Sequence, residues 1–337
     1  MIARLLTLLC LGLLAAARPA ASAPPPPQTY ALLVGGLAGK APYDHWYEDW
    51  LGRFQTHLTR AAGVPPGNIT VLSGTGARAD AVTAALGGFA QRVKPQDQFI
   101  LFLVGHGEIG GPAPALVLPG PDLTASQLAA ALKAITSHNQ VILNFSASSG
   151  DFLAALAASN RINITATSPT ESEEPVFAEF FLRGLESKRA GAGQEGSITL
   201  LNAYNWAARE TALWIARWTQ IDGKTLRDKT WKASGRETIE IFEKLYPSLS
   251  SRKLDPSSNR KAEDAAVELL PPNGEVTKEW SGRRVIDEHP MIEDCGKEVG
   301  VTVLGEKGLQ PIAGEKPKDP GYLAAHTILG KPASPDP

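Results

Sequence analysis

A chain of 337 residues, 43% of them hydrophobic, has room for one large α/β domain with an appendage, or for two modest domains. Its formal net charge of −2, with both signs interspersed, excludes the basic footprint of a nucleic-acid binder.

In chain order, the first element is a targeting segment. Arg4 precedes the apolar run LLTLLCLGLLAAA (residues 5–17), which is too short to span a bilayer, and ASA (residues 21–23) offers small residues for cleavage. A signal peptide over residues 1–23 implies a secreted or periplasmic protein with no other membrane attachment. Cys10 leaves with that segment, so Cys295 is the one remaining cysteine and no intramolecular disulfide is available. A proline-rich spacer (residues 24–28) follows.

From residue 29 apolar strands alternate with amphipathic helices. TYALLVGG (29–36) reads as a strand, YEDWLGRFQTHLTRAAG (47–63) as a helix, NITVLSG (68–74) as a strand and ADAVTAALGGFAQRV (79–93) as a helix. DQFILFLVGHGEIGG (97–111) is an apolar strand running into glycines around His106, and TASQLAAALKAI (124–135) is a helix with Thr124 at its N-cap. QVILNF (140–145) is a fourth strand and DFLAALAASN (151–160) a helix; RINITATS (161–168) and EPVFAEFFLRGL (174–185) repeat the pair. Strands that are apolar throughout, separated by helices, predict a mostly parallel sheet covered on both faces. A long Trp-rich helix (197–220) and a second helix (234–249) precede a loop-like tail with no sign of a separate core. The expected organisation is a main domain over 29–220 and a C-terminal extension over 221–337.

In such a sheet the sites lie beyond the carboxyl ends of the strands. Two of those ends are unusual: GHGEIGG after the third strand, and SASSGD, a knot of small hydroxyl residues, after the fourth. A histidine and a hydroxyl cluster on facing loops suit a base and a nucleophile. His45, His57 and His138 have no metal-ligand spacing, and DEHPMIEDCGKE (287–298) lacks the alternating acids of a calcium loop. Neither a metal nor a cofactor is expected.

FLVGHG, ILNFSASSGDF and INITATSPTESEE together resemble the caspase-like cysteine peptidases, closest to the legumain family, over residues 30–185. HPMIEDCGKEVGV and DPGYLAAHTILG resemble a C-terminal segment of bacterial legumain-like proteins. The resemblance implies a caspase-like three-layer α/β/α fold with a mostly parallel sheet and an irregular C-terminal extension. It implies that His106 is the catalytic histidine and Gly107 an oxyanion-hole donor, with a peptide or protein as substrate or ligand. Asp44, Ser146 and Ser168 are the expected substrate-contacting residues, although solvated loop charge is the plainer reading of Asp44. SPTESEE (168–174) lies at the mouth, and Glu173 and Glu174 read as a helix N-terminus that favours acids.

The departure from the family is the nucleophile. Ala147 stands where the cysteine belongs when Ser149-Gly150 is aligned without a gap; a one-residue gap puts Ser148 there. A thiol ionises near 8.5 or below, whereas a hydroxyl must lose its proton during attack to a well-aligned base. The reading favoured here is therefore a pseudopeptidase that keeps a peptide-binding cleft. The alternative is an active peptide hydrolase using Ser148 or Ser146 with His106. A third reading is a partner-binding module whose contact face is the helix carrying Trp206, Trp214 and Trp218.

Overall fold

The structure, a computed structural model, describes residues 26–38, 43–108, 113–169, 171, 174–187, 190, 197–218, 288–302, 308–309 and 320–330. The expected signal segment, the helix expected over 234–249 and Glu173 lie outside the described residues. The elements are β1 (Thr29–Gly35), α1 (Tyr43–Arg60), β2 (Ile69–Leu72), α2 (Ala79–Arg92) and β3 (Gln98–Val104). Three short strands follow, β4 (Gly107–Glu108), β5 (Ala115–Leu116) and β6 (Leu123–Thr124), then α3 (Ala125–Lys133), β7 (Asn139–Asn144), α4 (Leu153–Leu156) and β8 (Arg161–Thr165). The chain continues through α5 (Phe177–Glu186), α6 (Leu200–Trp218), β9 (Met291–Glu293) and α7 (Tyr322–His326).

The main sheet has the order β2-β1-β3-β7-β8-β9, parallel from β2 to β8, with β9 antiparallel to β8. β4, β5 and β6 form a small antiparallel sheet. The expected three-layer, mostly parallel architecture is what the chain adopts. Alternation along β1 shows how it is covered: Ala31 and Leu33 join the apolar layer built with α1, α5 and α6, while Leu32 and Val34 join the one built with α2, α3 and α4. Both layers are continuous, so every central strand is buried on both faces.

Local signals place the helices. Thr124 caps α3 with a full capping box: its hydroxyl accepts from Gln127 N, and the Gln127 side chain accepts from Thr124 N. The helix expected over 151–160 is shorter than its pattern suggested. Residues Ser149–Phe152 form a 3₁₀ turn, and only Leu153–Leu156 are α-helical. β9 lies past the expected domain boundary at 220, yet it completes the main sheet: Asn163, Ile164 and Thr165 pair with Glu293, Ile292 and Met291. Trp206 packs on α5, where a Cβ added to Gly184 would come within 3.0 Å of its ring.

Candidate active site

β3 and β7 are parallel neighbours in register up to Leu103 and Asn144, so the loops after them leave the same edge of the sheet side by side. Their backbones touch. A Cβ on Gly107 would lie 2.0 Å from the Ala147 carbonyl oxygen, so only glycine lets the His106 loop come this close to the turn after β7. The hydrogen bonds from Phe145 N to Leu103 O and from Ala147 N to Gly105 O tie the two loops together.

His106 is held at both backbone and ring. Its N–H donates to Leu37 O and its carbonyl accepts from Val117 N, both at 2.9 Å. Its Nδ1 lies 2.7 Å from Glu174 Oε1. The Glu174 side chain is 4% exposed, while that of His106 is 38% exposed. Glu174 Oε2 accepts a hydrogen bond from the Tyr47 hydroxyl. Burial, and then the neighbouring Glu174 charge, push the Tyr47 phenol well above its ordinary value, so it stays a donor. An ionised carboxylate can only accept, so the proton of the neutral His106 ring sits on Nδ1 and Nε2 keeps its lone pair. The arrangement is a buried carboxylate orienting a half-exposed imidazole. Glu174 was expected only to favour a helix N-terminus; its role as partner of His106 went unread.

The hydroxyl cluster sorts itself by hydrogen bonding. Ser146 Oγ donates to Asn144 Oδ1 at 2.7 Å and is turned back onto its own strand. Ser149 Oγ is shared among Thr167 Oγ1, Ala166 N and Thr167 N, which ties the turn to the end of β8. Ala147 is buried and brings its carbonyl, not its methyl, to Gly107. Ser148 differs from all of these. It has φ 55° and ψ 21°, a left-handed conformation that a residue other than glycine adopts at a cost of about 1–3 kcal/mol. Its hydroxyl makes only a long contact, 3.5 Å to Gly107 O, on the loop that carries His106. Among the described residues, the backbone N–H groups of Ser148 and Ser149 have no acceptor. Successive free N–H groups at a left-handed turn form a concavity suited to an anion. A strained strand-to-helix turn with a serine at its apex and a free N–H on the next residue is the geometry that presents a nucleophile beside an oxyanion hole.

The other expected contact residues are not assembled with these groups. Asp44 is exposed in the first turn of α1, where its carboxylate accepts from His45 N. Ser168 contributes backbone: its N–H donates to Glu171 Oε2 at 2.7 Å, and its carbonyl carbon lies 2.2 Å from where a Cβ on Gly150 would be. The Cys295 thiol is half-buried, and burial together with Asp294 pushes it up to about 12. Among the described residues there is no group of three or more His, Cys, Asp or Glu side chains that could hold a metal ion. No helix among them is long and apolar enough to cross a membrane.

No family model and no curated protein matches this sequence. Solved structures with a similar path include protein GSU0716 from Geobacter sulfurreducens, at 16% identity and TM-score 0.38, covering 55% of this chain and 89% of that one. They also include caspase-1 from Spodoptera frugiperda, at 12% identity and TM-score 0.39, covering 56% of this chain and 77% of that one. Likeness at this level concerns the fold alone; the reading of the site rests on its own geometry.

Proposed function

We propose that the chain is an exported hydrolase of the caspase-like, legumain-like type in which serine has taken the place of cysteine. Ser148 is the nucleophile, His106 the general base and Glu174 the residue that orients it. Ser148 Oγ attacks the acyl carbon of a peptide; His106 Nε2 takes the hydroxyl proton and passes it to the leaving amine, and water then releases the acyl group by the same route. The Ser148 and Ser149 amides, with the backbone at Gly107, face the developing oxyanion. The observation that carries this reading is the His106–Glu174 contact, which supplies what a hydroxyl nucleophile needs and a pre-formed thiolate does not: a base of fixed tautomer.

One observation favours the pseudopeptidase reading instead. Ser148 is 1% exposed, so a substrate carbonyl reaches it only if the mouth opens. A serine-directed fluorophosphonate separates the two. The hydrolase reading expects covalent labelling of the folded protein at Ser148, abolished by Ser148→Ala and by His106→Ala. It also expects a reactive thiol in Ser148→Cys and an inert one in Ala147→Cys. A folded protein that takes no label and turns over no peptide or ester is a binding protein, and the proposal then fails.

A further inference from the structure

Glu174 sits in a segment whose two ends are tied to consecutive residues from much later in the chain. At the first end, Glu171 Oε2 accepts from Ser168 N at 2.7 Å and from His289 N at 3.0 Å, and Glu171 Oε1 is hydrogen-bonded to His289 Nδ1. At the second end, the Glu288 carboxyl accepts from Val176 N at 2.9 Å and Phe177 N at 2.6 Å, capping the start of α5. Glu171, Glu288 and His289 are all buried. Glu174 follows Glu171 by three positions and precedes Val176 by two. The segment that carries the carboxylate is therefore clamped on both sides of it.

The clamp also reaches the turn after β7. Ser168, held by Glu171, lies directly on Gly150, two residues beyond Ser148. Glu288 and His289 are themselves held in place because the next residues form β9 and pair with β8. One short stretch thus touches the supports of both the base and the nucleophile, while lining neither.

We infer that Glu288 and His289 are positioning residues for this site: through Glu171 and the start of α5 they set the place of Glu174, and with it the tautomer of His106. The inference rests on the hydrolase reading for its meaning in turnover, but the geometry it describes has a readout of its own. A hydrogen bond from an imidazole to a buried carboxylate gives the Nδ1 proton a low-field resonance that can be followed in full-length protein labelled with ¹⁵N-histidine.

His106→Ala and Glu174→Gln identify that resonance in the wild-type spectrum by removing it. The clamp requires that His289→Ala, still melting cooperatively, lose or broaden the same resonance and slow fluorophosphonate labelling at least tenfold. His289→Asn, which keeps an N–H where Nδ1 was, restores both. If His289→Ala does not fold, Glu171→Gln carries the same expectation. A folded variant whose His106 resonance and labelling rate match wild type overturns the inference. A lost resonance in a protein that never takes the label in wild-type form upholds the positioning role and sinks the hydrolase reading.

Discussion

Two buried carboxylates five residues apart, Glu174 and Glu179, show how differently one protein can satisfy the same cost. Glu179 lies inside the helical layer over the sheet, among cations. Arg53 Nη1 reaches it at 2.6 Å and Arg183 Nε at 2.8 Å, and Trp50 Nε1 donates to it at 3.0 Å. Arg53 also holds Glu186 with two hydrogen bonds, at 2.8 and 2.9 Å. Burial works to raise the Glu179 carboxyl, yet the two guanidiniums hold it below its ordinary value, so the charge is locked. Among the described residues, Glu174 is matched by a phenol and an imidazole and by no guanidinium. A carboxylate matched by permanent cations can only hold helices together. One matched by a titratable, half-exposed ring can take part in proton transfer.

The contrast is sharpest in activity. Glu174→Gln preserves size but offers His106 an amide in place of an acceptor of fixed charge, so the ring is free to adopt the wrong tautomer. The expected result is a loss of about 10³–10⁴ in fluorophosphonate inactivation rate or peptide turnover, with the melting temperature little changed. Equal reactivity in the variant would place Glu174 with Glu179 as a structural group.

The converse prediction concerns stability. Arg53→Ala leaves Glu179 buried with one of its two cations removed, and breaking a buried pair costs about 3–5 kcal/mol. Urea unfolding should show that loss, while the labelling rate per folded molecule stays at the wild-type value. A loss below about 1 kcal/mol would mean that the network behaves as surface pairs do.

How much of this was legible differs between the same two regions. The sheet could be read directly, because the runs in β1, β3 and β7 are apolar without interruption and each ends in glycine or a small polar residue. The Thr124 cap was equally plain, since a capping box is local. His106 and the serine turn were visible as odd endings on adjacent strands. Glu174 was not, because its partner lies 68 residues away and an acid just before a helix has a sufficient local explanation in the dipole. Tyr47 carried no signal, being one of several aromatic positions on the buried face of α1. β9 is three residues in a polar stretch, too short for any period to show, and only its pairing with β8 makes it a strand. The alanine-rich run after Ser149 misled in the other direction: helix propensity is high there, but its buried apolar residues, Phe152, Leu153 and Leu156, span little more than one turn.

A third carboxyl, Glu288, sharpens the comparison further because among the described residues it is matched by backbone amides, with neither a cation nor an imidazole. Burial, with Glu171 nearby, pushes it from 4.5 up to about 8, against the two amide donors that pull it down. Between those two values the native state holds a proton that the unfolded chain releases, so folding is favoured by low pH and weakened as pH rises. This contribution is complete below about pH 4.5, declines through the window and is spent above about pH 8, with a slope of at most about 1.4 kcal/mol per pH unit. Glu288→Gln cannot ionise and keeps an acceptor for only one of the two amides, Val176 N or Phe177 N, so it should remove that slope while weakening the cap by an amount that does not vary with pH. The quantity to measure is the difference in unfolding free energy between variant and wild type from pH 5 to 8, which cancels the groups common to both. It should grow in favour of the variant as pH rises. A flat difference would mean that Glu288 is already ionised in the native state, stabilised like Glu179 by charge and not by its proton.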